Sequence, residues 1–588
     1  MISPATARTP AAAIPLAAPV ELSRRVAELE ERLGDPTDPG NPLGFAALMR
    51  ADRAAVPFTE GEAVLDELAF HTEFVPRELG GRLERMDHLV RMLRPVFRRD
   101  VGLGMGYGML SYMAANDVWT TGDERQRRWL AGLLLGGARA TIAQHETAHS
   151  NDYVRSQMTA RQAPGGFLLN GAKPMISNLD RAEALVLFCR TDPAPGSGSH
   201  SVLLLDPGEL PREHATILPR HLAVGLRGLT FAGLEFRDCP IPPEALLGPQ
   251  GSGIATALRS FQISRTVVSA LAVAAVDTNL RTALSFDGEH RTRGRRTAGN
   301  DSATTESAFT GAFVNLLLYD SLAVVATRAL HVRPAETSVY SAALKYLLPQ
   351  LPIATMYDLS IVLGAGFHTD EGNRGIFQKH IRDVPVLSLG HAGTVACQAT
   401  VIPQLPRLAA RSWFREEPAP AALFEPHGAL PPLDTAALSL ACGRDSLSAA
   451  LVTAAERIPG RGPAERALRE LAGLLSAELA ELRDRVLAMT AGDRALPVGA
   501  ACFALLDRYA LLLAAAAVLG VWQHSQGGDD PFLADASWAA AALHLVARRL
   551  GTAPVELPPE CGLRIRHEIQ LRHTTLRSFD LFNTPVPG

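Results

Sequence analysis

The apolar rhythm of this chain changes twice, and the two changes divide it. From about Val20 to Gly137 apolar residues recur at helical spacing, as in ELSRRVAELEERL and LERMDHLVRMLRPVF, with Gly-containing breaks between segments. From Ala138 to about Pro249 they gather instead into short runs, GFLLNG, ALVLFCR, SVLLLD and LTFAGLEF, separated by Gly, Pro, Asn and Asp. Such runs read as strands. After Gly253 long helical patterns return. A small β-domain therefore sits between helical ones.

At 588 residues the chain exceeds one core and divides into roughly three or four domains. The expected division is a disordered lead-in over 1–19, a helical domain over 20–137, a β-domain over 138–250, a helical bundle over 251–415 and a further helical domain over 435–588. The polar stretch from Asp287 to Glu306 reads as a surface loop, and EEPAPAALFEPHGALPPLD after Arg415 as a Pro-rich linker. The longest apolar run, Tyr509 to Trp522, reads as a buried helix too short to span a bilayer comfortably.

A charged content of 20% and a net charge of -4 supply no global field for nucleic acid or anionic membranes. Lysine occurs only at 173, 345 and 379, so the basic residues are nearly all arginine. The six cysteines lie far apart without a CxxC pair, which argues against a zinc ribbon or disulfide framework and fits a reducing cytosol. A cytoplasmic protein without a membrane anchor or nucleic-acid partner is expected.

His145-Glu146-Thr147-Ala148-His149 is a literal HExxH, whose histidines on one helix face would bind zinc while the glutamate activates water. That reading makes a metallopeptidase. The context opposes it: the motif follows the strand-like RATIAQ and continues as Ser-Asn-Asp, residues of caps and turns. No third ligand follows at a reasonable distance.

Four segments, in order, resemble the acyl-CoA dehydrogenase family over roughly residues 80 to 400. GDERQRRWLAGLLLGGARATIAQHETAHSND resembles the helix, turn and first strand leading into that family's flavin-contacting loop, and GFLLNGAKPMISN the hairpin that follows. GLRGLTFAGLEFRDCPIPPEALLGPQGSG resembles the strand and turn that close its β-domain, and FQISRTVVSALAVAAV the next helix. The resemblance implies an α+β acyl-CoA dehydrogenase-like fold, FAD as cofactor and a homodimer that completes the cofactor site. It implies a flavin contact by Ser177, a ring-packing role for Met175, and contacts by Gln144 and Ser150 at the pyrimidine edge and the phosphates. His290 or the adjacent Arg291 falls where the family's arginine reaches the pyrophosphate. Gly364 and Gly366 fall where glycines let backbone approach the partner's dinucleotide. Taken singly, Ser150 and Ser177 also read as turn residues, and GEHRTRG as a solvated basic loop.

The family removes a Cα proton with a glutamate while the flavin takes a hydride from Cβ. At the usual position the run from Arg382-Asp383 to Thr394 holds no carboxylate after Asp383, and the alternative position is Ser264. His391 is the candidate base, with a loop histidine bound to a carbonyl as the plainer reading. A carboxylate from elsewhere, Asp370 or Glu371, is a second candidate, though both read as an exposed turn in HTDEGN. The third way out is a β-keto acid substrate, which loses CO2 and generates the enolate itself, with molecular oxygen available to the reduced flavin as in epoxyketone-forming enzymes. The expected function is thus an FAD-dependent oxidoreductase acting beside a carbonyl of a non-standard acyl thioester or β-keto acid. A zinc peptidase and a catalytically dead flavin-fold scaffold are the alternatives from other classes.

Overall fold

The computed structural model describes residues 19–149, 152–292, 300–370, 372–390, 393–415, 417–490, 500–552 and 555–588. The lead-in over 1–18 therefore lies outside the described residues. Contacts group the chain into two compact units, residues 1–264 with 389–392 and residues 265–388 with 393–588.

The first unit begins with helices α1 (Pro19–Leu33), α2 (Phe45–Ala54), α3 (Thr59–Glu67) and α4 (Met86–Arg99). Helix α5 (Val101–Gly104) passes through a π-helical turn, Met105–Met109, into α6 (Leu110–Thr121). A π-turn displaces carbonyls from the regular ladder. Here Gly106 O accepts from Asn178 Nδ2 at 3.0 Å and from Arg139 Nη1 at 3.3 Å. Helix α7 (Glu124–Leu135) starts from a capping box in which Asp123 and Gln126 satisfy each other's backbone amides.

The strand runs form a mixed sheet in the order β6 (Ala215–Leu218), β7 (Phe231–Ile241), β3 (Gly166–Ser177), β2 (Thr159–Ala163), β4 (Ala184–Arg190), β5 (His200–Leu205) and β8 (Leu246–Leu247). Strand β1 (Ala140–Ala143) pairs parallel with β4. Along β3 the residues Phe167, Leu169 and Lys173 face inward with a period of two. A register shift between Lys173 and Ile176 then brings Ile176 inside and leaves Met175 exposed.

The second unit holds the remainder of α8 (Gly253–Thr292), then α9 (Asn300–Val332), α10 (Thr337–Leu347), α11 (Ala354–Leu363), α12 (Gly372–Asp383), α13 (Pro385–Leu389), α14 (Thr394–Val401) and α15 (Leu405–Arg411). Helices α16 (Ser446–Arg457), α17 (Pro463–Leu487), α18 (Ala500–His524), α19 (Ala536–Leu550) and α20 (Pro559–Thr574) follow. The expected loop over 287–306 is corrected: α8 runs through Thr292 and α9 starts at Asn300, so the polar residues there lie largely on helix ends. The Tyr509–Trp522 run is likewise part of a longer helix, the 25-residue α18. Among the described residues it is one of four helices long and apolar enough to cross a membrane; 78% of its most apolar window is buried inside the protein.

Buried carboxylates knit the second unit together. Asp445 accepts from Tyr509 at 2.6 Å, and Glu336 from Tyr340 at 2.6 Å and the Ser446 amide at 2.9 Å. The strap after α20 is held by the Phe579 and Leu581 amides, which donate to Asp277 on α8 and Asp320 on α9 at 3.0 and 2.9 Å. All six cysteines are buried and unpaired.

Candidate active site

The start of β1 meets the end of β3. The Thr141 hydroxyl donates to Ser177 O at 2.6 Å, and the Ala140 amide donates to Ser111 on α6 at 3.1 Å, so β1 is pinned to that helix and the end of β3 to β1. Just past β1 the chain turns at Gln144, whose side chain is 3% exposed. Both its amide nitrogen and its amide oxygen are buried without a partner. An unpaired buried amide is costly, and native structures retain one where a ligand completes it. At the end of β3 the Ser177 hydroxyl has no partner among the described residues, and Met175 is 48% exposed.

The HExxH segment serves this turn. It is not a helix: Glu146 lies in an extended link and Thr147–His149 form a 3-10 turn. The Glu146 carboxylate accepts from the Ser156 hydroxyl, from the Gln157 and Met158 amides at 2.8 and 3.1 Å, and from Lys173 Nζ at 3.0 Å. Burial alone would raise this carboxyl, yet the Gln157 amide, Ser156 and Lys173 together outweigh it and hold it at about 2. Lys173 is fully buried and also donates to Gln144 O at 3.0 Å and Ser156 Oγ at 2.8 Å. Glu146 thus braces the turn to β3. No cluster of three metal-ligating side chains occurs among the described residues, and the zinc reading has no site to stand on.

Of the residues singled out by sequence, the first unit places Gln144 just past β1, against Lys173 of β3, and Met175 and Ser177 at the end of β3, where Thr141 meets Ser177. Ser150 and His391 lie outside the described residues. In the second unit His290 stacks on Phe286, ring centroids 4.0 Å apart, and its Nδ1 donates to the Phe286 carbonyl at 2.8 Å. A Cβ on Gly366 would come within 3.2 Å of the same Phe286 ring, so His290 and Gly366 share a neighbour. Gly364 closes α11 at φ 51°, a left-handed conformation suited to glycine. Arg291 lies in α8, its side chain outside the described set.

Ser264 is fully buried on α8, its hydroxyl donating to Ser260 O at 3.1 Å. One turn away, facing Ser260 from α6, sequence reading missed Asp117. Both its carboxylate oxygens are buried without a hydrogen bond, and burial pushes the group up to about 7 against a smaller pull from Ser260. Its neighbour Asn116 does bond Ser260, at O and Oγ, at 2.8 and 2.9 Å. An aspartate beside an asparagine in an apolar helix carries no spacing signal that would have separated the two.

The fold is recognisable: the architecture of helices, β-sheet and helices is that of acyl-CoA dehydrogenase folds. It is shared with the glutaryl-CoA dehydrogenase glutaryl-CoA complex, at a TM-score of 0.57 and 20% identity over 67% of this chain and 95% of that one. PigA, solved with FAD and proline, matches at a TM-score of 0.57 and 18% identity over 65% and 97%. The prolyl acyl carrier protein oxidase AnaB matches at 0.54 and 16% over the same shares.

In sequence, the chain is similar to isovaleryl-CoA dehydrogenase of Oryza sativa, 26% identical over 40% of this chain and 56% of the relative. The short-chain specific acyl-CoA dehydrogenase of Homo sapiens is 27% identical over 36% and 51%. The chain spans about half the length of the curated relatives it matches. No family model matches. In fold the chain is acyl-CoA dehydrogenase-like, and in sequence it is similar to acyl-CoA dehydrogenases.

Proposed function

We propose that the protein is an FAD-dependent oxidoreductase that desaturates the Cα–Cβ bond beside a carbonyl of an acyl substrate. The observation that carries this is the buried Gln144 side-chain amide, whose nitrogen and oxygen both lack a partner. A flavin ring has a polar edge that asks for a donor and an acceptor together, and a face that asks for an apolar cover. The Gln144 amide fits that edge, and the family resemblance adds Ser177 and Met175.

FAD, when bound, supplies the hydride acceptor. The chain's own residues do the positioning. Gln144 offers one donor and one acceptor from a turn fixed by the Lys173–Glu146 pair. Ser177 offers a hydroxyl whose backbone is held by Thr141, and Met175 covers a ring face. His290, Arg291, Gly364 and Gly366 are the residues of the second unit that would approach the dinucleotide, in a homodimer. Ser150 joins them on the first unit, near the phosphates.

A second reading is favoured by Ser264 and the run after Asp383, where the family's carboxylate is missing at both positions. A β-keto acid needs no base: its C–C bond breaks, CO2 leaves, and the bonding pair stays on the α-carbon as the enolate. His391 is the base of the first reading and is dispensable in the second. Molecular oxygen is the electron acceptor that would make the second reading an oxygenase.

A visible spectrum of the purified protein tests the common core, with flavin bands expected and an apoprotein that refuses FAD overturning it. Anaerobic addition then separates the readings. Bleaching by an acyl thioester supports the first; bleaching with CO2 release from a β-keto acid supports the second. A protein that holds flavin and bleaches with neither is the dead scaffold.

A further inference from the structure

The second unit contains a half-open cavity of about 870 Å³, lined by no residue of the site above. Its walls are the end of α18, the turn over 525–533, one face of α20, the strap over 577–583 and the loop over 425–428. That volume is of the order that small-molecule sites occupy.

The polar side chains of the wall fall into two sets. Asp530 and Glu568 are committed within it: Asp530 accepts from the Phe532 amide at 2.9 Å and from Asn583 at 3.4 Å, and Glu568 accepts from Arg564 at 3.0 Å and Arg572 at 2.8 Å. Arg577 is different. Its Nε donates to Asn583 Oδ1 at 2.9 Å, which fixes the guanidinium plane, while its two terminal nitrogens have no partner among the described residues. They form an open fork, the geometry that matches a carboxylate through two parallel bonds.

The strap holds this fork in place. Leu576 sits at φ 54°, a left-handed conformation unfavourable for leucine that persists only where surroundings over-determine it. The surroundings are the Val586 amide on Leu576 O at 2.8 Å and the amides of Phe579 and Leu581 on the two buried aspartates. The cavity also has an apolar lining, from Phe532, Leu571, Leu581 and Phe582.

Charge narrows the class further. Glu425 and Asp529 also line the cavity, Glu425 Oε1 lying 3.9 Å from His524, so a dianion would meet repulsion that one arginine does not offset. A cation would face Arg577 and Arg564. We propose that this cavity binds an organic monocarboxylate with an apolar body, the carboxylate on the Arg577 fork and the body against Phe532, Leu571, Leu581 and Phe582. The inference stands apart from the flavin reading, since no residue is shared.

Calorimetric titration of the full chain with octanoate, octylamine and octyl phosphate tests it. Octanoate is expected to bind, and the amine and the phosphate to bind at least roughly tenfold more weakly. R577Q is expected to weaken octanoate by about tenfold or more, since a charge-assisted bond is lost. L571E places a like charge on the wall at a residue already 43% exposed, and so keeps the fold while abolishing octanoate binding. It decides the matter if R577Q does not fold. Absence of binding, equal binding of octylamine, tighter binding of octyl phosphate, or unchanged octanoate affinity in a folded variant each overturns the proposal.

Discussion

Single side chains carry the sharpest consequences here. Asp117 has its carboxyl raised by burial from 3.8 to about 7, so the folded protein favours the protonated form. The cost of burying it is nil below pH 4, grows as pH rises toward 7, and is complete above that. Asp117→Asn, which keeps the shape and cannot ionise, is therefore expected to stabilise the protein at pH 8 by up to about 4 kcal/mol and to be neutral near pH 4. Urea melts at the two pH values check this, and an equal difference at both would sink it. If the enzyme works by proton abstraction, the same variant also shows whether this carboxyl takes part, because the rate of flavin bleaching would then fall while flavin content held. At Lys173 the sign is opposite. Lys173→Met leaves Glu146 buried with its charge uncompensated and is expected to cost about 3–5 kcal/mol. Adding Glu146→Gln should restore part of that, and a double-mutant cycle measures how much.

At the scale of elements, Asn178 ties three together. It sits just past β3 at φ 54°, its amide nitrogen donating to the π-turn at Gly106 O and its Oδ1 accepting from the Thr230 amide at 3.1 Å beside β7. Asn178→Gly keeps the left-handed backbone and removes the side chain; Asn178→Ala removes both. The alanine variant is expected to cost about 2–3 kcal/mol and the glycine variant less, with flavin retention falling in the same order because Ser177 is the preceding residue. Thermal melts with absorbance at the flavin bands follow both quantities. Much of this level was legible in the sequence: the runs ALVLFCR and SVLLLD are β4 and β5, and FQISRTVVSALAVAAV lies in α8. What hid was whatever depends on long-range pairing. A lysine in a strand reads as solvent-facing, and it takes partners remote in sequence, Glu146 27 residues away together with Gln144 O and Ser156, to hold Lys173 inward. The HExxH is a motif by spacing alone: the partners of its glutamate are on β3 and ahead of β2. The polar residues 287–292 read as loop because their helix is carried by packing of its apolar turns, which local polarity does not report.

For the molecule as a whole, the strap is the element whose loss matters most. Deleting residues 576–588 removes the Phe579 and Leu581 amides from Asp277 and Asp320, two fully buried carboxylates on the long helices of the second unit. Such a truncation is expected to lower stability by at least about 3 kcal/mol, read as an earlier unfolding midpoint in urea. The cavity beside the strap was out of reach of sequence reading, since its wall is gathered from segments scattered between Glu425 and Asn583.

The six buried thiols add a tool to this picture. Two of them, Cys189 and Cys239, are in the first unit, and Cys397, Cys442, Cys502 and Cys561 are in the second. A native molecule should therefore be nearly silent toward an alkylating reagent, and each sulfur becomes visible only when its own neighbourhood opens. Peptide mapping of the label after graded exposure to denaturant would time-stamp the opening of each half separately, without adding a single foreign probe.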